Sequence, residues 1–235
     1  MTESGEAIHG KTCVIEHLVR RNLRQKILDF FTFPVRGFVL HYEDRWGLSC
    51  LATERFDLVA TEATGFCLDI GCGPHNRFIK KFLSGHGIGI DVYRYEGLND
   101  HNIVEDMTQL PFGSEEFDSV TFIANINHIP ESDRDAELAE AFRCLKPGGK
   151  IIVTMGNPIV EVLVHKVIQL SDRLFGTSFD IDSERGMEME EAYYLTDREI
   201  VERLSSAGFG NLRKKYLWTQ WFLNHMFIGF KEDHN

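Results

Sequence analysis

Between Gly65 and Met155 short apolar runs alternate with helical patterns, and this alternation constrains the chain more than any other feature. The runs are Phe66-Cys-Leu-Asp-Ile70, Gly87-Ile-Gly-Ile90, Ser119-Val-Thr-Phe-Ile-Ala124 and Lys150-Ile-Ile-Val-Thr-Met155, with a weaker one at Ile103-Val104. Each is short, rich in β-branched or aromatic residues, and bounded by glycine, proline or charge, as buried strands are. Helical spacing follows the first run, with Phe78, Ile79, Phe82 and Leu83 between His75 and a stop at Gly85. It follows the fourth run as well, where Leu138, Phe142 and Leu145 form a stripe, Ser132 and Asp135 suggest a capping box, and Lys146-Pro-Gly-Gly149 ends the helix. Strands alternating with helices of this length stack as βαβ units around a mostly parallel sheet.

The C-terminal part adds a second capping box, Thr196-Asp-Arg-Glu199, before a helix that stops at Gly208. Lys214 to Gln220 and Trp221 to Phe230 then read as a pair of antiparallel strands on the sheet edge. Two stretches lie outside the regular scheme. Residues 1–62 are expected to form an N-terminal helical cap or lid, with a basic segment from Leu18 to Phe31 that reads as a solvated face or an anionic-surface contact. Residues 63–235 form the main domain, with a lid insertion at about 156–195 whose amphipathic Pro158–Leu170 segment packs on the domain or on the partner of a homodimer.

Charge and cysteine usage narrow the function. With 25 Lys+Arg against 36 Asp+Glu the net charge is −11, which repels polyphosphates, so no nucleic-acid partner is expected. The five cysteines contain no C-x-x-C pair, no His/Cys cluster has zinc spacing, and no metal is expected. No apolar stretch reaches the ~20 residues of a transmembrane segment, and the N-terminus lacks a secretory pattern, so a cytoplasmic protein is expected.

The chemistry concentrates at Leu68-Asp-Ile-Gly-Cys-Gly-Pro-His75, a strand ending in a carboxylate and turning through Gly71 and Gly73 toward a helix. Glycines let a ligand approach the backbone, and the helix start supplies oriented N–H groups. Asp91 ends the second strand 20 residues after Gly71, where a carboxylate can accept from both hydroxyls of a ribose. The ligand is then a nucleoside, but a pyrophosphate fits poorly. Asn76 stands where the dinucleotide loop wants a third small residue, and Asp69 at the strand tip repels phosphate while favouring an ammonium. S-adenosylmethionine has a ribose, an ammonium and no phosphate.

In order and spacing, Phe66 to Met155 resembles a class I S-adenosylmethionine-dependent methyltransferase of the small-molecule type. Leu68-Asp-Ile-Gly-Cys-Gly73 resembles the cofactor loop, Asp91 the ribose-binding acid, Asp106-Met107 with Leu110-Pro-Phe112 the adenine segment, and Leu145-Lys-Pro-Gly-Gly-Lys150 the turn before the fifth strand. The resemblance implies a Rossmann-like, doubly wound, mostly parallel seven-stranded sheet. It also implies that Asp106 accepts from the adenine amino group, that Met107 packs on the ring, and that the backbone near Ala124 and Asn125 faces the methionine amino group. A turn cap at Asp106 is the competing reading.

His128 follows the fourth run at the carboxyl edge of the sheet and is the candidate general base if the acceptor is a hydroxyl; packing against the cofactor is the alternative. His41, Tyr42, Trp46, Tyr193 and Tyr194 are candidate walls of a pocket for a small-molecule methyl acceptor, or core aromatics. The expected reaction is methyl transfer to an O, N or C atom. The alternatives are a non-catalytic S-adenosylmethionine-binding module, a nicotinamide oxidoreductase, disfavoured by Asn76, and a transferase using the decarboxylated cofactor.

Overall fold

The computed structural model describes residues 21–38, 44–156 and 195–233. The Pro158–Leu170 segment and the candidate pocket residues His41, Tyr42, Tyr193 and Tyr194 lie outside them.

Six strands form one sheet: β1 Cys67–Ile70, β2 Gly87–Ile90, β3 Phe117–Ile123, β4 Leu145–Gly156, β5 Gly210–Tyr216 and β6 Asn224–Phe230, in the order β2-β1-β3-β4-β6-β5. β2, β1, β3 and β4 run parallel, and β6 and β5 close the edge antiparallel as the sequence pattern predicts. The first of that pair is Gly210–Tyr216 rather than Lys214–Gln220, since Trp218–Gln220 forms a 3₁₀ turn, and the second starts at Asn224 rather than Trp221. The expectation of seven strands is corrected to six among the described residues. Ile103 makes only an isolated parallel bridge to Asp91 beyond β2, because the run there is two residues long and the flanking Asp100–Asn102 turn consumes its neighbours.

Helices cover both faces. α3, Glu131–Cys144, and α4, Asp197–Ser206, pack with Val120, Phe122, Ile151 and Val153 on one side. α2, Leu51–Ala60, packs with Cys67, Ile152, Met226 and Ile228 on the other. α1, Leu23–Phe38, packs against a short 3₁₀ turn, Trp218–Gln220. α4 starts with the predicted box: the Thr196 side chain accepts from the Glu199 amide at 3.3 Å and Glu199 Oε2 accepts from the Thr196 amide at 2.6 Å.

Two local expectations fail. The Ser132–Asp135 box does not form, because α3 already begins after Pro130, and the Ser132 hydroxyl donates to Asp133 instead. The segment after β1 is not a regular α-helix. A 3₁₀ turn at Pro74–Asn76 contains His75 at φ 63°, and Phe78–Phe82 is a wide π turn closed by the Leu83 amide on the Phe78 carbonyl at 3.2 Å. A left-handed His75 breaks the helical hydrogen-bond ladder, and its amide bonds the Glu96 carbonyl at 2.7 Å.

Candidate cofactor and acceptor site

The carboxyl ends of β1, β2 and β3 bring the predicted residues together. β1 leaves the sheet at Gly71, whose amide and that of Cys72 both donate to the Ile90 carbonyl, at 2.9 and 3.0 Å. The loop is thereby tied to the end of β2. Asp91 continues β2 and is buried, its Oδ2 accepting from the Gly73 amide at 2.9 Å and its Oδ1 from the Tyr93 amide at 3.0 Å. Burial pushes the Asp91 carboxyl up from its ordinary value, against the amides of Tyr93 and Gly73, which pull it down. A carboxylate offers about four acceptor positions, so acceptor capacity remains beyond the amides of Tyr93, Gly73 and Val92.

The two loop glycines serve different ends. A Cβ on Gly71 would stand 1.9 Å from Asn125 Nδ2, so this glycine lets Asn125 reach across and donate to the Ile70 carbonyl at 2.7 Å. Gly73, at φ 64°, has nothing within 4 Å of where its Cβ would be. It borders open space in a conformation that suits glycine.

Asn125 Oδ1 is buried and has no hydrogen-bond partner, an acceptor left over at the loop. A buried unsatisfied acceptor costs about 1–3 kcal/mol, and a ligand ammonium or hydroxyl would relieve it. Asp69 is fully buried behind it and accepts from the Thr121 hydroxyl at 2.7 Å. Its pKa is raised to about 7, by burial first, with the Thr121 bond lowering it and Asp91 raising it. The open space at Gly73, the spare acceptor at Asn125 and the buried acids thus fit S-adenosylmethionine's ribose and amino-acid tail.

Asn76 holds the third position of the loop, where a dinucleotide site is expected to carry a small residue. It is buried, and its amide fills the space over Gly89, where a Cβ would meet it at 2.2 Å.

The adenine side is less sharply defined. Asp106 is exposed, and its Oδ1 accepts from the Thr108 amide at 2.9 Å and the Thr108 hydroxyl at 2.5 Å, so the turn-capping role is realised. Met107 is buried in the core cluster beside α3. Glu137 on α3, which sequence reasoning passed over, is buried and pushed up to about 8, by burial first and then by Asp133 and Asp106.

His128 sits half-buried on a 3₁₀ turn, Ile126–His128, directly after β3. Its amide donates to the Asn125 carbonyl at 2.7 Å, which fixes the turn beside the cofactor loop. Trp46 lies in a tight turn closed by the Arg45–Leu48 bridge, with 72% of its surface exposed.

A second imidazole shares this edge. His225, at the start of antiparallel β6, pairs with Met155 near the end of β4. It is 3% exposed, its Nδ1 lies 2.9 Å from Asp197 Oδ1 at the start of α4, and its buried Nε2 has no hydrogen-bond partner. Lys214 also pairs with Asp197, which is held below the ordinary carboxylate range by these partners despite the opposing effect of burial. The signal was present only as a histidine opening an apolar run; its partner lies 28 residues away.

A methyltransferase-domain family model matches residues 68–153, the span from β1 to the body of β4. A demethylmenaquinone methyltransferase of Staphylococcus saprophyticus is 30% identical over 169 residues, 62% of this chain and 70% of that protein. The chain belongs to the class I S-adenosylmethionine-dependent methyltransferases. A ubiquinone/menaquinone biosynthesis C-methyltransferase of Vibrio parahaemolyticus is 28% identical over 134 residues, covering 54% of this chain and only about half, 51%, of that relative. A Thermotoga maritima structure described as a SAM-dependent methyltransferase and possible histamine N-methyltransferase superposes with TM-score 0.55 at 18% identity, covering 92% of this chain and 99% of its own. That likeness bears on the fold alone. The protein is a methyltransferase that uses S-adenosylmethionine. Among the described residues no helix is long and apolar enough to cross a membrane, and no cluster of potential metal ligands occurs.

Proposed function

We propose that this methyltransferase acts on a small, lipophilic hydroquinone-type acceptor and transfers the methyl group to a ring carbon. The quinone names of the relatives support the acceptor class, and the C-methyltransferase name supports the attacked atom. The observation that carries the site assignment is the partnerless Asn125 Oδ1 beside the open space at Gly73.

In this reading Asp91 accepts from the ribose hydroxyls while Gly73 admits the amino-acid tail. Asn125 Oδ1 and the buried charge of Asp69 receive the ammonium. Met107 and Asp106 border the adenine, Asp106 through the oxygen that Thr108 leaves free. S-adenosylmethionine supplies an electrophilic methyl when bound, so the chain's main task is to hold the acceptor in line and exclude water. Residues 1–62 form the cap, residues 63–235 the domain, and the 156–195 insertion the lid, with His41, Tyr42, Trp46, Tyr193 and Tyr194 as acceptor walls.

His128 takes the acceptor hydroxyl proton, which raises electron density at the ring carbon. That carbon takes the methyl as the S–CH3 bond breaks with its electron pair left on sulfur, and the ring regains aromaticity when the displaced ring-carbon proton returns to the oxygen. A second reading assigns the hydroxyl proton to His225, favoured by its Asp197 partner and its bare Nε2. Incubating the protein with S-adenosylmethionine and a demethylated quinol, with S-adenosylhomocysteine and methylated product measured together, tests the function. Binding of the cofactor without turnover on any quinol would replace this reading by a non-catalytic module.

A further inference from the structure

Helix α1 is amphipathic in the sense opposite to an ordinary surface helix. Its charged residues Asp29 and Arg36 are 0% exposed, whereas Leu23, Ile27, Phe31 and Val35, spaced four apart on one stripe, are 68, 45, 74 and 44% exposed. Buried partners fix this orientation. Arg36 donates through Nη2 to Glu54 at 2.5 Å, through Nε to the Ser49 carbonyl at 2.6 Å and through Nη1 to the Asp29 carbonyl at 2.9 Å. Arg21 bridges Asp29 and Asp57. Rotating the helix to hide its stripe would break every one of these contacts.

The apolar surface continues past the helix. The Trp221 indole donates to the Phe30 carbonyl at 2.8 Å and its ring lies 5.1 Å from Phe33, while Trp218, Trp221 and Phe222 remain 36, 44 and 54% exposed. Contiguous exposed apolar surface of this kind marks an interaction site. Its charge selects the partner: Asp29 is the helix's single acid and is buried, so the accessible charges of α1 are Arg24, next to the stripe, and Lys26.

We infer that this face docks on an anionic lipid bilayer, with α1 in the plane of the interface. The Leu23–Val35 stripe enters the acyl boundary, the exposed indoles sit at headgroup level, and Arg24 and Lys26 meet lipid phosphates. The chain's net charge of −11 does not prevent docking, because charges farther than about 8 Å are largely screened at physiological salt. The inference deepens the quinol reading, on which it rests for its purpose: an acceptor with a long hydrocarbon tail is dissolved in the bilayer, and docking brings the site to it.

The test is flotation of the full chain with vesicles of equal parts phosphatidylglycerol and phosphatidylcholine, against phosphatidylcholine alone. The wild type is expected to float with the anionic vesicles and to be partly released by salt. Phe31→Asp and Arg24→Glu are each expected to lower partitioning by roughly tenfold or more, since each removes an interaction of about 1–3 kcal/mol. Both side chains are exposed, so cofactor affinity and turnover of a short-tailed, water-soluble quinol should stay unchanged while turnover of a vesicle-embedded quinol falls. A wild type that does not float, variants that float equally well, or a wild-type dimer that Phe31→Asp splits into monomers would each overturn the docking. Flotation as expected with no turnover of either quinol would overturn the acceptor reading and leave the docking standing.

Discussion

The cofactor edge and the α1 face solve the problem of buried charge in opposite ways. At the cofactor edge, carboxylates are held by backbone amides and one hydroxyl, with Asp91 on Gly73 and Tyr93 and Asp69 on Thr121. Among the described residues no cation shifts either carboxyl, and Asn125 Oδ1 has no hydrogen-bond partner. Beneath α1 the acids are neutralised by arginines, with Arg36 on Glu54 and Arg21 on Asp29 and Asp57. Glu54 is completed by Thr219 and by Gln220 at 3.0 Å. A site left with spare acceptors is prepared for a ligand; a network with every charge matched is prepared to hold a helix still.

Gly73→Val should separate ligand space from fold most sharply. Nothing lies within 4 Å of the new Cβ, so the protein should fold, with about 1–3 kcal/mol lost to strain at φ 64° and the melting temperature lower by a few degrees. Cofactor binding should be lost. A variant that binds as the wild type does would make the loop a plain turn.

Arg36→Leu should do the reverse. It leaves Glu54 buried without its cation and Asp29 with Arg21 alone, which costs about 3–5 kcal/mol in denaturant unfolding, yet cofactor affinity of the folded fraction should persist. Loss of affinity with unchanged stability would erase the contrast between the two regions.

At the acceptor side, His128→Asn and His225→Asn compare the two imidazoles. The one that takes the proton should lose about 100-fold or more in kcat, and the wild-type rate should fall as pH drops through its pKa. The other should alter KM or stability only. Equal, small changes in both would show that neither accepts the proton.

A smaller effect comes from Asp69. Its folded pKa of about 7 lies above the unfolded 3.8, so the folded state keeps its proton more tightly. Stability from this group is therefore present at low pH and lost as pH rises from about 4 to about 7. Asp69→Asn should flatten that part of the curve of unfolding free energy against pH. An unchanged curve would show that Asp69 ionises normally.

The same contrast explains what the sequence could reveal. The Gly71–Gly73 turn and its tie to Asp91 were legible because the parts are close in the chain and each is punctuated: Gly73 and Asp91 are 18 residues apart, and strand, glycine and acid recur in order. The α1 face was not. Its contacts join Glu54 to Gln220 across 166 residues and Phe30 to Trp221 across 191, so a helix that reads as a solvated basic face turns out to bury Asp29 and Arg36 and to leave Leu23, Ile27 and Phe31 outside. Composition and helical period describe which residues share a face of a helix; only the long-range partners decide which face is buried. His225 was missed for that reason, since Asp197 reads locally as part of a helix cap. Ile103-Val104 erred in the other direction, an apolar pair too short to carry more than one bridge.

The central claim is that the carboxyl ends of β1 and β2 hold the nucleoside of S-adenosylmethionine through Asp91, which follows β2, and titration calorimetry of wild type and Asp91→Ala with that cofactor tests it most directly. Loss of two charge-assisted hydrogen bonds, each about 1.5–3 kcal/mol, should weaken binding at least tenfold. A wild type that binds S-adenosylmethionine and an Asp91→Ala variant that binds it equally well would contradict the assignment.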